Sequence, residues 1–330
     1  MKRDDPMKIA VLGGGTGLSA LLRGLKNFTE EITAIVTVAD DGGSSGMLRQ
    51  DLGILPPGDI RNCIMALANV EPLMEKVMQY RFKEGSLKGQ SLGNLFIAAM
   101  TDLCNGFEEA VKQMSNVLAV TGRVLPVSLA NISLCARLKN GTLVRGESLI
   151  PEVQMEQNSP IDEVFIVPKD AKPLPEALDA LQEADCIVMG PGSLYTSIMP
   201  HLLLPDITNA IRCSKAVKVY VSNIMTQPGE TTGYSLEDHV KAIIRHGGTN
   251  LIDIIIANNQ QPPEDILYRY RQDGSEPVYH CEERSSVLGI PVIAHDLLDV
   301  YRGYIRHNPL RLASLIVRAV RNEHPGAVSD

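Results

Sequence analysis

The sequence predicts an α/β fold of the doubly wound kind, a mostly parallel sheet carrying a helical insertion and an antiparallel hairpin excursion. Three observations predict it. Short apolar runs alternate with amphipathic segments over most of the 330 residues. Runs such as Ile252-Asp253-Ile254-Ile255-Ile256-Ala257 have the length and β-branching of strands covered on both faces, which parallel sheets require. The first apolar run stops at Gly13-Gly14-Gly15, and an apolar-periodic segment (Leu18, Leu21, Leu22, Leu25) starts just after, the order of strand, tight turn and helix N-terminus.

Taken in order, strands are expected over residues 9–12 and 32–38, with a helix over 18–28 between them. A largely helical block follows over 60–120, punctuated by Pro72, Gly85, Gly89 and Gly106. Residues 124–150 break the rhythm: 132–138 and 142–147 flank Asn140-Gly141, a strong hairpin signal, and read as an antiparallel excursion (127–150) at a sheet edge. The alternation then resumes, with strands at 164–167, 186–189, 217–221 and 252–257 and helices at 175–184, 206–214, 236–245 and 263–271. A helix over 310–320 closes the fold. No repeat or low-complexity linker interrupts the chain, so residues 7–320 read as one continuous domain with flexible tails at 1–6 and 323–330. A division near 150–170 is the alternative.

Composition narrows the function. A formal charge of −8 opposes nucleic acid or an anionic membrane surface as the main partner. Aromatics at 4%, with no Trp, leave little for base-stacking platforms. The six cysteines are far apart, form no C-x-x-C pair and sit in part within apolar runs, as buried reduced thiols do. The start of the chain has no apolar leader and no later run reaches the length of a membrane span, so a cytoplasmic protein without membrane insertion is expected. The seven histidines show no metal-ligand spacing.

The chemistry falls in the loops. Gly13, Gly14, Gly15, Thr16 and Gly17 form a glycine turn whose backbone a ligand can approach closely, feeding a helix whose first N–H groups favour an anion. It is neither a P-loop, lacking Gly-Lys-[Ser/Thr], nor the G-x-G-x-x-G fingerprint, since Leu18 stands where the third glycine belongs. Asp40 and Asp41, with Gly43 and Ser44, follow the second strand where a dinucleotide fold carries its ribose-binding acid. Adjacent carboxylates also suit Mg²⁺ or a hydroxyl-rich ligand, and an Asx-type turn is the structural alternative. In 56–62, Asp59 reads as a helix N-cap, which puts Arg61 and Asn62 in the first turn, within reach of a phosphate. Asn94, in Ser91-Leu92-Gly93-Asn94, has the same grammar; capping alone accounts for either loop equally well. Gly190, Pro191, Gly192, Ser193, Tyr195 and Thr196 repeat the first loop's logic after the 186–189 strand, so the two turns are expected to face each other and hold a diphosphate. Asn223 opens a polar loop on the same rim. Ser193 is no hydrolase nucleophile elbow, because Tyr195 replaces the required glycine. Spacing alone favours ordinary packing for Tyr270 beside Ile266 and Leu267, and a solvated Arg306.

Residues 13–17, 39–46, 56–62, 91–94, 190–197 and 223–231 together resemble, in order and spacing, the family of the bacterial gluconeogenesis factor YvcK, within the superfamily of the phospholactate transferase CofD. The likeness runs from about Met7 to Val320, and the Asp-Asp-Gly-Gly-Ser-Ser-Gly and Gly-Pro-Gly-Ser-Leu-Tyr-Thr-Ser strings are specific. The resemblance implies a Rossmann-like fold, a nucleotide-sugar ligand of the UDP-N-acetylglucosamine type, and a role in cell shape and envelope supply during gluconeogenic growth. It implies UDP-sugar contacts for Tyr270 and Arg306. The transferase branch implies Mg²⁺ chemistry on a nucleotide diphosphate donor, with Asp41 or Asp40 as the acceptor- and metal-side acid. The expectation is a regulatory binding protein without catalytic activity, a homodimer by base rate, under a regulatory kinase. The alternatives are a CofD-like transferase with Asp41 as its acid, and a binder of NAD or another dinucleotide.

Overall fold

The computed structural model describes residues 6–278, 280 and 286–321; residues 1–5 of the expected 1–6 tail, the expected tail at 323–330, and Cys281 lie outside the described residues. The chain opens with β1 (Ile9–Gly13), α1 (Gly15–Leu25) and β2 (Ile32–Val36). The helical block is α2 (Gly43–Leu52), α3 (Gly58–Leu67), α4 (Pro72–Met78), α5 (Leu92–Leu103) and α6 (Phe107–Val117), and β3 (Arg123–Pro126) ends it. The excursion contains β4 (Ser133–Leu138), β5 (Leu143–Arg145), α7 (Leu149–Gln157) and β6 (Ile161–Val167). Alternation resumes with α8 (Pro175–Glu183), β7 (Cys186–Met189), a π-helical turn (Leu194–Ile198), α9 (Met199–Leu202), α10 (Pro205–Cys213), β8 (Val217–Val221), α11 (Leu236–Gly247), β9 (Ile254–Asn258) and α12 (Glu264–Gln272). Four short strands, β10 (Ser286–Val287), β11 (Ile290–His295), β12 (Leu298–Tyr301) and β13 (Tyr304–His307), precede α13 (Pro309–Val320).

The main sheet has the order β10-β11-β9-β8-β7-β1-β2-β3, parallel throughout except for β10 at its edge. Its central strands are buried on both faces: every residue of β1, β2 and β7 is in the core. Leu12 lies opposite Ile35 on one side and Met189 on the other. Sequence order runs outward from β1 in both directions, so the winding reverses between β1 and β7. A crevice opens at the carboxyl ends of strands at such a switch point.

The structure corrects the sequence reading at several elements. The excursion is not at the edge of the main sheet; it forms its own three-stranded antiparallel sheet, β5-β4-β6. Residues 164–167 belong there too, as part of β6, and not to the resumed parallel alternation. The reason is visible in burial: β6 alternates between buried and half-buried positions, the pattern of a sheet covered on one face. The edge of the main sheet is instead β3. The first helix starts at Gly15 rather than at 18, and the loop after the second strand winds into α2, which has little apolar periodicity to announce it: Leu48 is its one buried apolar residue, beside Ser44 and Ser45. Nor does Asp59 cap α3. Pro57 occupies that position, and Ser45 Oγ accepts the Gly58 N–H at 3.1 Å in its place. The β12–β13 hairpin turns on Arg302-Gly303, both at positive φ, a turn that an Asn-Gly search passes over. The five described cysteines are free; Cys63, Cys135 and Cys186 are buried, whereas Cys213 is exposed, unlike the expected buried thiols.

Candidate functional site

β1 ends at Gly13, and α1 starts two residues later with Gly14 as its N-cap and no side chain capping it. β7 ends at Met189, and the chain turns through Gly190-Pro191-Gly192 before its next helical turn. The sequence expectation that these two turns face each other holds. A Cβ on Gly17 would lie 2.5 Å from the Pro191 carbonyl oxygen, and one on Gly192 would lie 3.4 Å from that of Gly14. At Gly17 only glycine permits this approach. The turns border a cavity of about 580 Å³, the size of a small-molecule site.

On the β2 side, the cavity wall is acidic and hydroxylic. Asp40, Asp59 and Glu147 line it, with Thr37 and Thr196. Asp59 accepts the Gly15 N–H; burial, reinforced by the charge of Asp40, raises its pKa to about 6. Glu147 accepts the Thr196 hydroxyl, and burial pushes its pKa to about 8. Behind the wall, Glu230 accepts the Ser193 hydroxyl and the Tyr195 N–H, and burial raises its pKa to about 7. Ser193 Oγ also accepts the Thr196 N–H at 3.0 Å, so this hydroxyl is committed to holding its own turn.

The β8 side is different. Asn223, Met225, Tyr270, Tyr304 and Arg306 line it. The Tyr270 ring packs on a small apolar cluster that includes Ile266, Leu267 and Ile305, while its hydroxyl accepts the Ile305 N–H at 2.9 Å. Packing and lining are therefore one arrangement. The Arg306 guanidinium lies 5.5 Å over the Tyr304 ring. Asn223 Nδ2 donates to Gln227, whereas its Oδ1 is buried without a partner. Burial also lowers His307, whose Nε2–H donates to the Ser222 carbonyl, to about 4, so it faces the cavity as a neutral ring.

Of the residues singled out from the sequence, Gly14, Gly15, Thr16, Gly17, Asp40, Pro191, Gly192, Ser193, Thr196, Asn223, Tyr270 and Arg306 meet at this cavity. Others serve its frame. Gly13 is the buried end of β1, Gly43 opens α2, and Gly190 precedes the turn. Tyr195 points into the core, its hydroxyl 2.9 Å from that of Tyr234. Ser44, Arg61, Asn62 and Asn94 are brought together, but with one another. Ser44 Oγ accepts from Asn94 Nδ2 at 3.1 Å, and Arg61 donates to Ser91, Asn94 and Asn62, tying α2, α3 and α5. Asp41 is turned away: its two oxygens accept the N–H groups of Glu147 (3.1 Å) and Ser148 (2.9 Å). Sequence reasoning missed Glu147 and Glu230, both within segments it had marked, because nothing local distinguishes a buried carboxyl from a solvated one. It also misassigned Asp59 as a cap.

Magnesium requires hard oxygen ligands with free lone pairs. Asp41 does not line the cavity, its two oxygens each accepting a backbone N–H, and Asp40, which does, already accepts the Gly42 N–H at 2.9 Å through one oxygen. Among the described residues, no three His, Cys, Asp or Glu side chains are grouped to hold a metal ion. The site does not fit a metal held by protein ligands alone. No helix among the described residues is long and apolar enough to cross a membrane.

Comparison with known proteins gives a consistent result. The profile of the family described as 2-phospho-L-lactate transferase CofD matches residues 9–298. A relative in Thermoanaerobacterium thermosulfurigenes is 58% identical over 310 residues, covering 94% of this chain and 96% of its own. The gluconeogenesis factor of Bacillus subtilis is 50% identical over 311 residues, 94% of this chain and 97% of its own. A crystal structure of a upf0052 family member from Bacillus halodurans superposes with a TM-score of 0.90 at 47% identity, covering 95% of this chain and 99% of that one.

Proposed function

This chain belongs to the CofD family, among the relatives named gluconeogenesis factors, and from that premise we propose that its cavity binds a nucleotide-sugar of the UDP-N-acetylglucosamine type and that the protein regulates rather than catalyses. The carrying observation is the meeting of two glycine turns at the β1/β7 switch point, where the α1 N-terminus, its Gly15 N–H accepted by Asp59, and the turn held by Ser193 bring glycine backbone against the cavity in the way that suits a diphosphate. Tyr270, Tyr304 and Arg306 beside them supply a ring face and a cation for the rest of a nucleotide. A binding role is favoured over transfer because Asp41, one of the two acids the transferase reading offers, is turned from the cavity onto backbone N–H groups, and Asp40, the other, has one oxygen engaged by the Gly42 N–H. In the cell, the bound nucleotide-sugar reports envelope precursor supply and cell shape is adjusted during gluconeogenic growth.

Calorimetric titration with UDP-N-acetylglucosamine, UDP and NAD tests this reading. Saturable binding of the UDP-sugar, displaced weakly or not at all by NAD, supports it; no heat at millimolar UDP-sugar overturns it. Arg306→Ala should weaken UDP-sugar binding by about 1.5–3 kcal/mol, the worth of a charge-assisted contact. Unchanged affinity removes Arg306 from the site. Turnover of a nucleotide diphosphate donor, lost in Asp41→Asn, would instead favour the transferase.

A further inference from the structure

We propose a direction for the ligand: its base lies on the β8 side of the cavity, and the group beyond the diphosphate is a hydroxyl-rich ring seated against Asp40, Asp59 and Glu147 on the β2 side. This rests on the nucleotide-diphosphate reading above and adds an orientation and a subsite to it. The rim loops follow the strand order β2, β1, β7, β8. Strands in a sheet are about 4.8 Å apart, so the loops after β2 and β8 are separated by three intervals, about 14 Å. That span suits a nucleoside diphosphate carrying one more ring.

Three chemistries are laid out along it, in one continuous cavity. Main-chain amides occupy the middle, at β1 and β7. At the β8 end, the Tyr270 ring and the Tyr304 ring with the Arg306 guanidinium 5.5 Å over it line the cavity, aromatic surface and a cation that suit a base. At the β2 end stand the carboxyls, and the phosphates are excluded from that wall by like charge. What lies there must donate hydrogen bonds. A hydroxyl fits better than an ammonium, because it both donates to a carboxylate and accepts from a carboxylic acid. The wall contains both forms near neutral pH. Glu147, bonded to Thr196 and facing Asp40, Asp41 and Glu230, is held largely protonated, while Asp59, bonded to the Gly15 N–H and facing Asp40 and Arg61, titrates at about 6. The wall is also built tightly onto the amide turn: a Cβ on Gly14 would lie 2.6 Å from both Asp59 Oδ2 and Thr37 Cγ2.

The test compares affinities for UDP and UDP-N-acetylglucosamine in the wild type, Glu147→Ala and Asp40→Asn. The inference requires the sugar to add affinity over UDP in the wild type, and Glu147→Ala to lose about tenfold on the UDP-sugar but less than about threefold on UDP. Equal losses on both ligands, or no loss on either, overturn it. Should Glu147→Ala not fold, Asp40→Asn must show the same selective loss, and its absence overturns the inference equally. A wild type that binds neither ligand refutes the nucleotide reading itself. A wild type that binds UDP with no gain from the sugar leaves that reading standing and refutes only the orientation.

Discussion

At Gly17 a Cβ would sit 2.5 Å from the Pro191 carbonyl oxygen, and the neighbour is backbone, which cannot swing aside. Gly17→Ala must therefore push the two turns apart at the point where they border the cavity. The expected cost is about 1–3 kcal/mol of stability, as for other overpacked sites, with UDP-sugar affinity falling about tenfold or more. The control is Gly85, at φ +72 with open space where its Cβ would go. Gly85→Ala should cost about 1 kcal/mol through backbone strain alone and leave binding intact. Urea unfolding and calorimetry of both variants check this, and equal affinities would show that the turns do not border the ligand. At this scale the glycines were legible because a backbone approach leaves its mark in the residue type. The choice between Asp40 and Asp41 was not. Adjacent aspartates look alike in sequence, and the partner that claims Asp41, the segment entering α7, lies more than a hundred positions downstream.

The polar turns before α3 and α5 show the same limit among elements. Ser44, Arg61 and Asn94 read equally well as ligand groups or as capping, and the structure uses them to bind α2, α3 and α5 to each other behind the cavity. Which neighbour a first-turn side chain reaches depends on how the helices pack, which a polar Gly-containing turn does not encode. Arg61 is buried and its Nε already lacks a partner, so its contribution rests on the bonds to Ser91, Asn94 and Asn62. Arg61→Ala should destabilise the protein by about 2–3 kcal/mol, the range for hydrogen bonds to a charged group plus the acceptors left buried. UDP-sugar affinity of the folded variant should stay within about twofold of wild type. Stability measured by urea titration and affinity measured at a denaturant-free temperature separate the two effects. A large affinity loss without a stability loss would return Arg61 to the ligand.

For the molecule as a whole, the winding was legible because the central parallel strands β1, β2, β7, β8 and β9 are self-contained apolar runs, whereas the short edge strand β3 and the half-exposed β10–β13, parallel β11 among them, were not. Buried carboxyls and buried histidines, His239 and His246 among the latter, are shifted in directions that give stability a pH profile with opposing limbs. His201 and His307 are kept neutral by burial down to about pH 4. The unfolded chain takes up their protons from about pH 6.5 downward, so stability falls as pH drops through that window. Glu147, Glu230 and Asp59 act in the opposite direction. Their folded pKa values of about 8, 7 and 6 lie above the usual carboxyl range, so the folded state holds more protons from about pH 4 up to those values. Their contribution therefore declines as pH rises. From pH 6.5 to about 7.5 the unfolded histidines lose their last protons and the histidine limb fades; the carboxyl limb then governs up to pH 8.5, and Glu147 is its last member to titrate. Wild-type stability should fall across that interval. Glu147→Gln carries no ionisable group there, so its curve should be flatter, and its advantage over wild type should grow by on the order of 1 kcal/mol between pH 6.5 and 8.5. Urea midpoints at half-unit pH steps measure it. If the two curves run parallel, Glu147 is ionised throughout, and a charged wall in place of a mixed one faces whatever occupies the β2 end of the cavity.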